Sequence, residues 1–323
     1  MLPVTTTLER NDIGASSRDR FIAASHRVAA PAGQARDDFA IFSGIAERMG
    51  VGAAFTDGRD EEGWLRHLYT LARQRVAEAG HTLPDFESFW RDGFCLLPEP
   101  DRQDALLADF RAEPEAMRLK TPSGRIEIFS ATIDGFGYDD CPGHATWIEP
   151  DEWLGSAKAA TFGLHLISNQ PVSRLHSQYD SASHSRGQKI RGREVIRLNP
   201  VDAAARGIAA HDVVRVHNER GSCLAAAVLS NAVRPGVVQL STGAWYDPLE
   251  PAGDASLDKH GNPNVLTRDR GTSRLAQAPS AQSCLVEVEP FTGPLPPITA
   301  FQPPDFAARP SAHPTPTQSV RIA

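Results

Sequence analysis

Apolar residues recur at helical spacing in the first part of the chain. Phe39, Phe42, Ile45 and Met49 follow Asp37 and Asp38 at intervals of three and four residues. This predicts a capped helix stopped by Gly50, with its apolar stripe buried in a core. A second helix is predicted over about Glu61 to Ala79, with Trp64, Leu68, Leu71 and Val76 turned inward and Gly80 beyond its end. A short third helix runs from about Asp85 to Arg91 and packs Phe86, Phe89 and Trp90. Thr121-Pro122-Ser123-Gly124 has the chemistry of a turn, and the alternation from Arg125 to Ser130 predicts a strand.

From Phe162 onward the period shortens to two. Leu164 and Leu166 alternate with His165 and Ile167, which predicts a strand over Phe162 to Ser168. Asn199 caps a short helix with Pro200 in its first position and Gly207 at its stop. Val213 to Val216 is a strand, Asn218-Glu219-Arg220-Gly221 a hairpin turn, and Leu224 to Leu229 the returning partner. Pro235-Gly236 turns the chain again into a strand beginning at Val237. Several short strands at this spacing predict a small closed barrel or a sandwich. After about Glu289 the chain becomes proline-rich and loses periodicity, so the last twenty or so residues are expected to lack order.

Composition narrows the possibilities. With 323 residues, 41% of them hydrophobic, the chain can bury a sizeable core and make two domains. A net charge of −7 disfavours generic nucleic-acid binding. From Thr161 to Gln282, however, 14 Lys and Arg stand against 10 Asp and Glu, a net +4 that leaves −11 for the remainder. That excess suits an anionic ligand such as a pyrophosphate, and it equally suits arginines solvated at a surface. Cys95, Cys141, Cys223 and Cys284 form no C-x-x-C pair, which speaks against a zinc or iron–sulfur site and for free thiols. Residues 1–12 contain neither a basic n-region nor an apolar h-region, and no apolar run reaches membrane-spanning length. Walker, Rossmann and G-x-S-x-G motifs are absent, so nucleophilic hydrolysis has no support.

Two polar stretches carry the candidate chemistry. The first holds Asn169, Gln170, Arg174, His176, Ser177 and Gln178; the second holds Asn262, Asn264, Thr272, Ser273 and Gln277. Side-chain amides present a donor and an acceptor on one plane and read the edge of a polar heterocycle well. Each group also has a plainer use. His176, Ser177 and Gln178 could form a structural hydrogen-bond network, Asn169 and Gln170 could cap a turn, and Trp245 and Tyr246 could wall a ligand or pack in a core. His165, His176 and His184 are eleven and eight residues apart and match no common ligand spacing, so no metal held by protein side chains is predicted.

The segments LISNQPVSRLHSQ, NPVDAAARGI, DVVRVHNERG, PGVVQLSTGAWYDP and HGNPNVLTRDRGTSRLAQ occur in this order. Together with TTTLERNDIG, TPSGRIEIFS and YDDCPGHATW upstream, the chain resembles the molybdopterin oxidoreductases of the dimethyl sulfoxide reductase family over about Leu2 to Pro304. Within that family it resembles the biotin sulfoxide and trimethylamine N-oxide reductases. The resemblance implies an α/β remnant at 1–150, a mostly β double-psi barrel that binds molybdopterin dinucleotide at 151–290, and a proline-rich tail at 291–323. It implies a molybdenum bis(molybdopterin guanine dinucleotide) cofactor, contacted by Asn169, Gln170, Arg174, His176, Ser177, Gln178, Trp245, Asn262, Asn264, Thr272 and Gln277, and expected to draw His176, Gln178, Asn264 and Gln277 into one cleft. The implied activity is reduction of a small S-oxide or N-oxide by oxygen-atom transfer. The family's protein ligand to molybdenum has no match here, so the implied partner is an N-terminal half of the same enzyme or a separately encoded subunit. A non-catalytic cofactor-binding subunit is the alternative. Relatives in both cytoplasm and periplasm leave the compartment open. Where the family usually reads LAQG, this chain reads LAQA, with Ala278 in place of a permissive glycine.

Overall fold

A computed structural model describes residues 2–16, 19–99, 105–251, 253 and 255–303, and the chain divides into two compact units, Met1–Lys120 and Thr121–Ala323. The first unit is built on a three-stranded antiparallel sheet, β1 (Asp12–Ala15), β2 (Phe21–Ser25) and, later in the chain, β3 (Phe94–Leu96). Between β2 and β3 come α1 (Asp38–Arg48), α2 (Gly52–Thr56), α3 (Glu61–Glu78) and α4 (Phe86–Asp92). Asp37, Asp60 and Asp85 cap α1, α3 and α4, each accepting a backbone N–H three residues on. The small core joins Ile22 and Cys95 of the sheet to Tyr69, Leu83 and Phe89. Tyr69 and Phe89 stack with centroids 4.2 Å apart.

Two sequence expectations shift in this unit. In α3 the expected inward positions are one residue off except the last: Leu65 and Tyr69 are buried and Ala72 packs beside them, Leu68 and Leu71 are exposed, and Val76 packs on the core as expected. Tyr69 decides the phase, because its ring takes the place against Phe89 and its hydroxyl bonds the Pro84 carbonyl at 3.1 Å. In α1 the stripe does not enter a core, for Phe42 and Met49 are 54% and 71% exposed and Ala46 is the buried position. A short helix, α5 (Ala108–Ala112), follows β3.

In the second unit the Thr121–Gly124 turn forms, with Gly124 donating to the Thr121 carbonyl at 2.9 Å. Arg125 to Ser130 does not become a strand. Side chains capture its backbone instead, with Thr121 Oγ1 donating to the Arg125 carbonyl and Ser123 N–H to Glu127. Ile128 remains 87% exposed. Ser130 then caps α6 (Ala131–Asp134).

The rest of this unit is a closed six-stranded barrel. Its strands are β4 (Leu164–Ile167), β5 (Val195–Leu198), β6 (Val213–His217), β7 (Ser222–Leu229), β8 (Val237–Leu240) and β9 (Leu285–Pro290), in the order β4-β8-β5-β7-β6-β9 with β9 closing on β4. β4 runs parallel to β8 and β5 to β7; the other pairs are antiparallel. Alternate residues fill the interior: Leu164 and Leu166, Ile196 and Leu198, Val214 and Val216, Val238 and Leu240, Val286 and Val288. β7 contributes Cys223, Ala225 and Ala227, whose small size makes room for the larger facing side chains. A four-residue helix, α7 (Ser183–Arg186), precedes β5. Between β5 and β6, α8 (Pro200–Ala205) forms as its signals predict: Asn199 Oδ1 accepts from Val201 N–H, Pro200 opens the helix, and Gly207 follows it at φ +64°. All four cysteines are free, and burial pushes Cys284 up to about 11, so it stays a thiol.

Candidate functional site

The barrel's strand directions assemble the site. Because β4 and β8 are parallel neighbours, the loops that leave them, 168–180 and 241–247, emerge side by side at one rim. β5 runs antiparallel to β8, so its first residues sit at the same rim, where Glu194 N–H bonds the His260 carbonyl at 2.9 Å and attaches a third loop, 258–264. The three loops surround an open cleft of about 410 Å³ lined by His176, Ser177, Thr242, Gly243, Ala244, Trp245, Tyr246, Asn262 and Asn264.

The first two loops meet with no room to spare. His176 (φ +49°) and Tyr179 (φ +64°) hold left-handed backbone, bringing the His176 carbonyl onto Gly243. Gly243 lies at φ +90°, and any Cβ there would overlap that carbonyl. Thr242 N–H donates to the Asn169 carbonyl at 2.9 Å, Ser241 Oγ to Asn169 Oδ1 at 3.0 Å, and Trp245 Nε1–H to the Ser177 carbonyl at 2.8 Å.

Below the cleft lies a buried ionic layer that the sequence did not disclose. Arg174 Nη2 reaches Glu194 at 2.8 Å and the Thr242 carbonyl at 2.7 Å, and its Nη1 lies 3.4 Å from Asp180. Lys189 Nζ bridges Asp180 and Glu194, at 2.9 Å from each. Asp180 also accepts Trp245 N–H at 3.0 Å. Two cations and two carboxylates balance here, so the layer ties the loops to the barrel without a net charge. In the third loop Asp258 accepts the N–H groups of Asp247, His260, Gly261 and Asn262, although burial pushes its carboxyl upward. Burial, then the nearby Lys189, lowers the pKa of His260. The ring is therefore neutral near pH 7, and since its Nδ1 faces the Trp245 carbonyl at 2.8 Å, Nδ1 carries the proton.

The sequence-nominated residues separate into three groups. His176, Ser177, Trp245, Asn262 and Asn264 line the cleft. Asn169, Gln170 and Arg174 build its support: Asn169 staples two loops, Gln170 Nε2 donates to the Arg174 carbonyl at 3.0 Å, and Arg174 is committed to the ionic layer. Gln178, Thr272 and Gln277 do not line the cleft. Gln178 is exposed, with its N–H on the Leu175 carbonyl. Thr272 and Gln277 close a local hairpin, Thr272 Oγ1 donating to the Ala276 carbonyl at 2.7 Å and Gln277 Nε2 to the Ser273 carbonyl at 2.9 Å. Thus His176 and Asn264 share a cleft across their sequence separation, while Gln178 and Gln277 turn elsewhere. Thr242 and Gly243 also line the cleft and were not nominated; a glycine three residues past a barrel strand, in STGAWY, was the available signal. Among the described residues no three His, Cys, Asp or Glu side chains gather as metal ligands, and no helix is long and apolar enough to cross a membrane.

The donor set fits a flat polar heterocycle. The His176 ring, the hydroxyls of Ser177, Thr242 and Tyr246, and the Asn264 amide belong to residues that line the cleft and make no hydrogen bond to another described residue. In comparison with known proteins, residues 164–285 match the molydopterin dinucleotide binding domain. Over 310 residues the chain is 45% identical to a dimethyl sulfoxide/trimethylamine N-oxide reductase of Cereibacter sphaeroides, covering 95% of this chain and 38% of the relative. It is 47% identical to a biotin sulfoxide reductase of the same organism, over 91% of this chain and 39% of that protein. A trimethylamine-N-oxide reductase of Salmonella typhi is 44% identical over 94% and 36%. The chain is similar to these reductases over nearly all of its own residues, and it spans less than two fifths of their length. Acetylene hydratase from Pelobacter acetylenicus shares the fold at 20% identity, with a TM-score of 0.65 over 90% of this chain and 38% of that one.

Proposed function

We propose that this chain supplies the dinucleotide-holding wall of an enzyme that reduces S-oxides or N-oxides with a molybdenum bis(molybdopterin guanine dinucleotide) cofactor. The observation that carries the reading is the cleft itself: polar side chains left without protein partners on a rim where three loops converge, inside the matched domain. His176, Ser177, Asn262 and Asn264 are assigned to the pterin edge, with Trp245 and Tyr246 as walls and the Thr242–Ala244 backbone beside the phosphates. The double-psi barrel type belongs to the same proposal, supported by six closed strands with two parallel pairs. When bound, the cofactor supplies the oxygen-atom acceptor and its electrons; these residues hold it, orient it and exclude water. The substrate is a small S-oxide or N-oxide, and the partner is the remainder of a longer enzyme or a complementary subunit.

The test is cofactor content. In a host that makes the dinucleotide, Asn264→Ala should lower oxidised pterin released per folded chain at least threefold, with an unchanged thermal midpoint because Asn264 is exposed. Equal pterin content in both proteins would remove Asn264 from the site, and none in either would remove the reading. The 323 residues alone are expected to show no viologen-linked reduction of dimethyl sulfoxide, trimethylamine N-oxide or biotin sulfoxide, and to gain it with a complementary N-terminal polypeptide. Positioning the reacting centre needs both walls.

A further inference from the structure

Beyond β9 the described residues, 291–303, form neither helix nor strand, and most of the tail expected to lack order lies outside the described residues; yet 296–302 are pinned at three points behind the cleft wall. Arg193 Nη2 donates to the Pro296 carbonyl at 2.7 Å. Thr299 N–H donates to Asp247 Oδ2 at 2.7 Å; its hydroxyl donates to Asp247 Oδ1 and accepts from Lys259 Nζ at 2.8 Å. Gln302 N–H then closes a turn on the Thr299 carbonyl at 2.9 Å. Within that turn the Phe301 ring stands edge-on to Trp245 and His260, with centroids 5.5 and 4.9 Å away, and Arg186 lies over it.

These contacts converge on one piece of wall. Asp247 follows Trp245 by two residues; it is 4% exposed and its carboxylate pairs with Lys259 at 3.0 Å. A buried carboxylate needs its acceptor sites filled, and Thr299 fills one on each oxygen. The same loop is tied from within by Lys259 N–H on the Asp247 carbonyl and by His260 Nδ1 on the Trp245 carbonyl. The strap therefore grips both the side chain that anchors the wall and the Trp245 ring of a cleft-lining residue, without itself lining the cleft.

We propose that residues 296–301 are a strap that positions the Trp245 wall for dinucleotide binding, with Thr299 and Phe301 as its positioning residues. The ligand in this inference rests on the function proposed above; the strap's grip does not. The test uses the full chain with two readouts. Hydrogen exchange, read by mass spectrometry, should accelerate at least tenfold at amides 242–247 and 258–262 in Thr299→Val and Phe301→Ala, while amides of β6 and β7 keep wild-type rates. Thr299→Ser and Phe301→Tyr should restore protection. Pterin released per folded chain should fall at least threefold in the first two variants and recover in the second two. Acceleration that is uniform through β6 and β7, or absent at 242–247, would overturn the strap. Local acceleration with unchanged pterin content would overturn its positioning role and leave the cleft assignment standing. Local acceleration in a chain whose wild type holds no pterin would overturn the ligand and leave the grip.

Discussion

The two units use apolar side chains differently. In the barrel, Leu166, Ile196, Leu198, Val214, Val216, Val238 and Leu240 have no exposed surface, because closure gives every inward position a facing partner. In Met1–Lys120 the buried apolar set is short, and Phe21, Phe94 and Leu96 stand exposed on one face of the sheet while Phe42, Ile45 and Met49 stand exposed on α1. In β2 and β3 alternation survives, for Ile22 and Cys95 are inside and Phe21 pairs with Leu96 outside, but both faces are apolar. A closed sheet satisfies its own pattern, whereas an open sheet of three strands satisfies one face and leaves the other for something else to cover. Periodicity reports which residues share a face; it does not report whether the chain contains their cover.

The sharpest way to break the contrast is at the rim. Gly243→Ala should destabilise the second unit by roughly 4 kcal/mol or more, since backbone strain of about 1–3 kcal/mol adds to steric overlap with the His176 carbonyl. Urea denaturation would measure it, and a near-neutral result would mean that the two loops separate easily. Next, Leu240→Ala in the closed interior should cost about 2–5 kcal/mol, whereas Phe42→Ala on the exposed stripe should stay within about 0.5 kcal/mol. Comparable losses at the two sites would show that α1 is covered after all.

Glu152 gives a smaller, pH-dependent test of how the barrel is tied. It is 1% exposed, and burial pushes its carboxyl up, but hydrogen bonds from Arg220, the Leu285 N–H and Lys158 outweigh burial and bring it down to about 2 from an ordinary 4.5. A depressed carboxyl stabilises the fold fully above its unfolded value and loses that contribution as pH falls through the folded one. Denaturant midpoints should therefore drop between about pH 4.5 and 2 in the wild type. Glu152→Gln should flatten that slope and lower the plateau above pH 5. A parallel slope in the variant would assign the acid sensitivity to other carboxylates.

Much of the barrel was legible because its cues are local. Leu164 and Leu166 alternate, Asn199-Pro200 opens a helix, and residues 218–221 turn a hairpin, each decided by neighbours in sequence. What failed turned on contacts that apolar periodicity does not report. The phase of α3 follows from Tyr69 stacking on Phe89, and Arg125 to Ser130 lost its strand to local side-chain bonds without a partner strand. Of the residues nominated by type, His176 and Asn264 line the cleft, whereas Gln277 spends its amide on its own hairpin. Asp180, Lys189 and Glu194 left no signal, because a buried ion layer exists only once the loops have met.

The positive excess counted between Thr161 and Gln282 is answered by carboxylates just outside that stretch. Arg206 meets Glu287, Arg215 meets Glu289, Arg220 meets Glu152, and Arg268 meets Asp151. With the ionic layer under the cleft also balanced and no Lys or Arg among the described residues that line the cleft, its lining offers an anion backbone dipoles and hydroxyls. Attraction of that kind acts at contact range and is hardly screened, so the hold of this wall on a bound dinucleotide should change little with ionic strength.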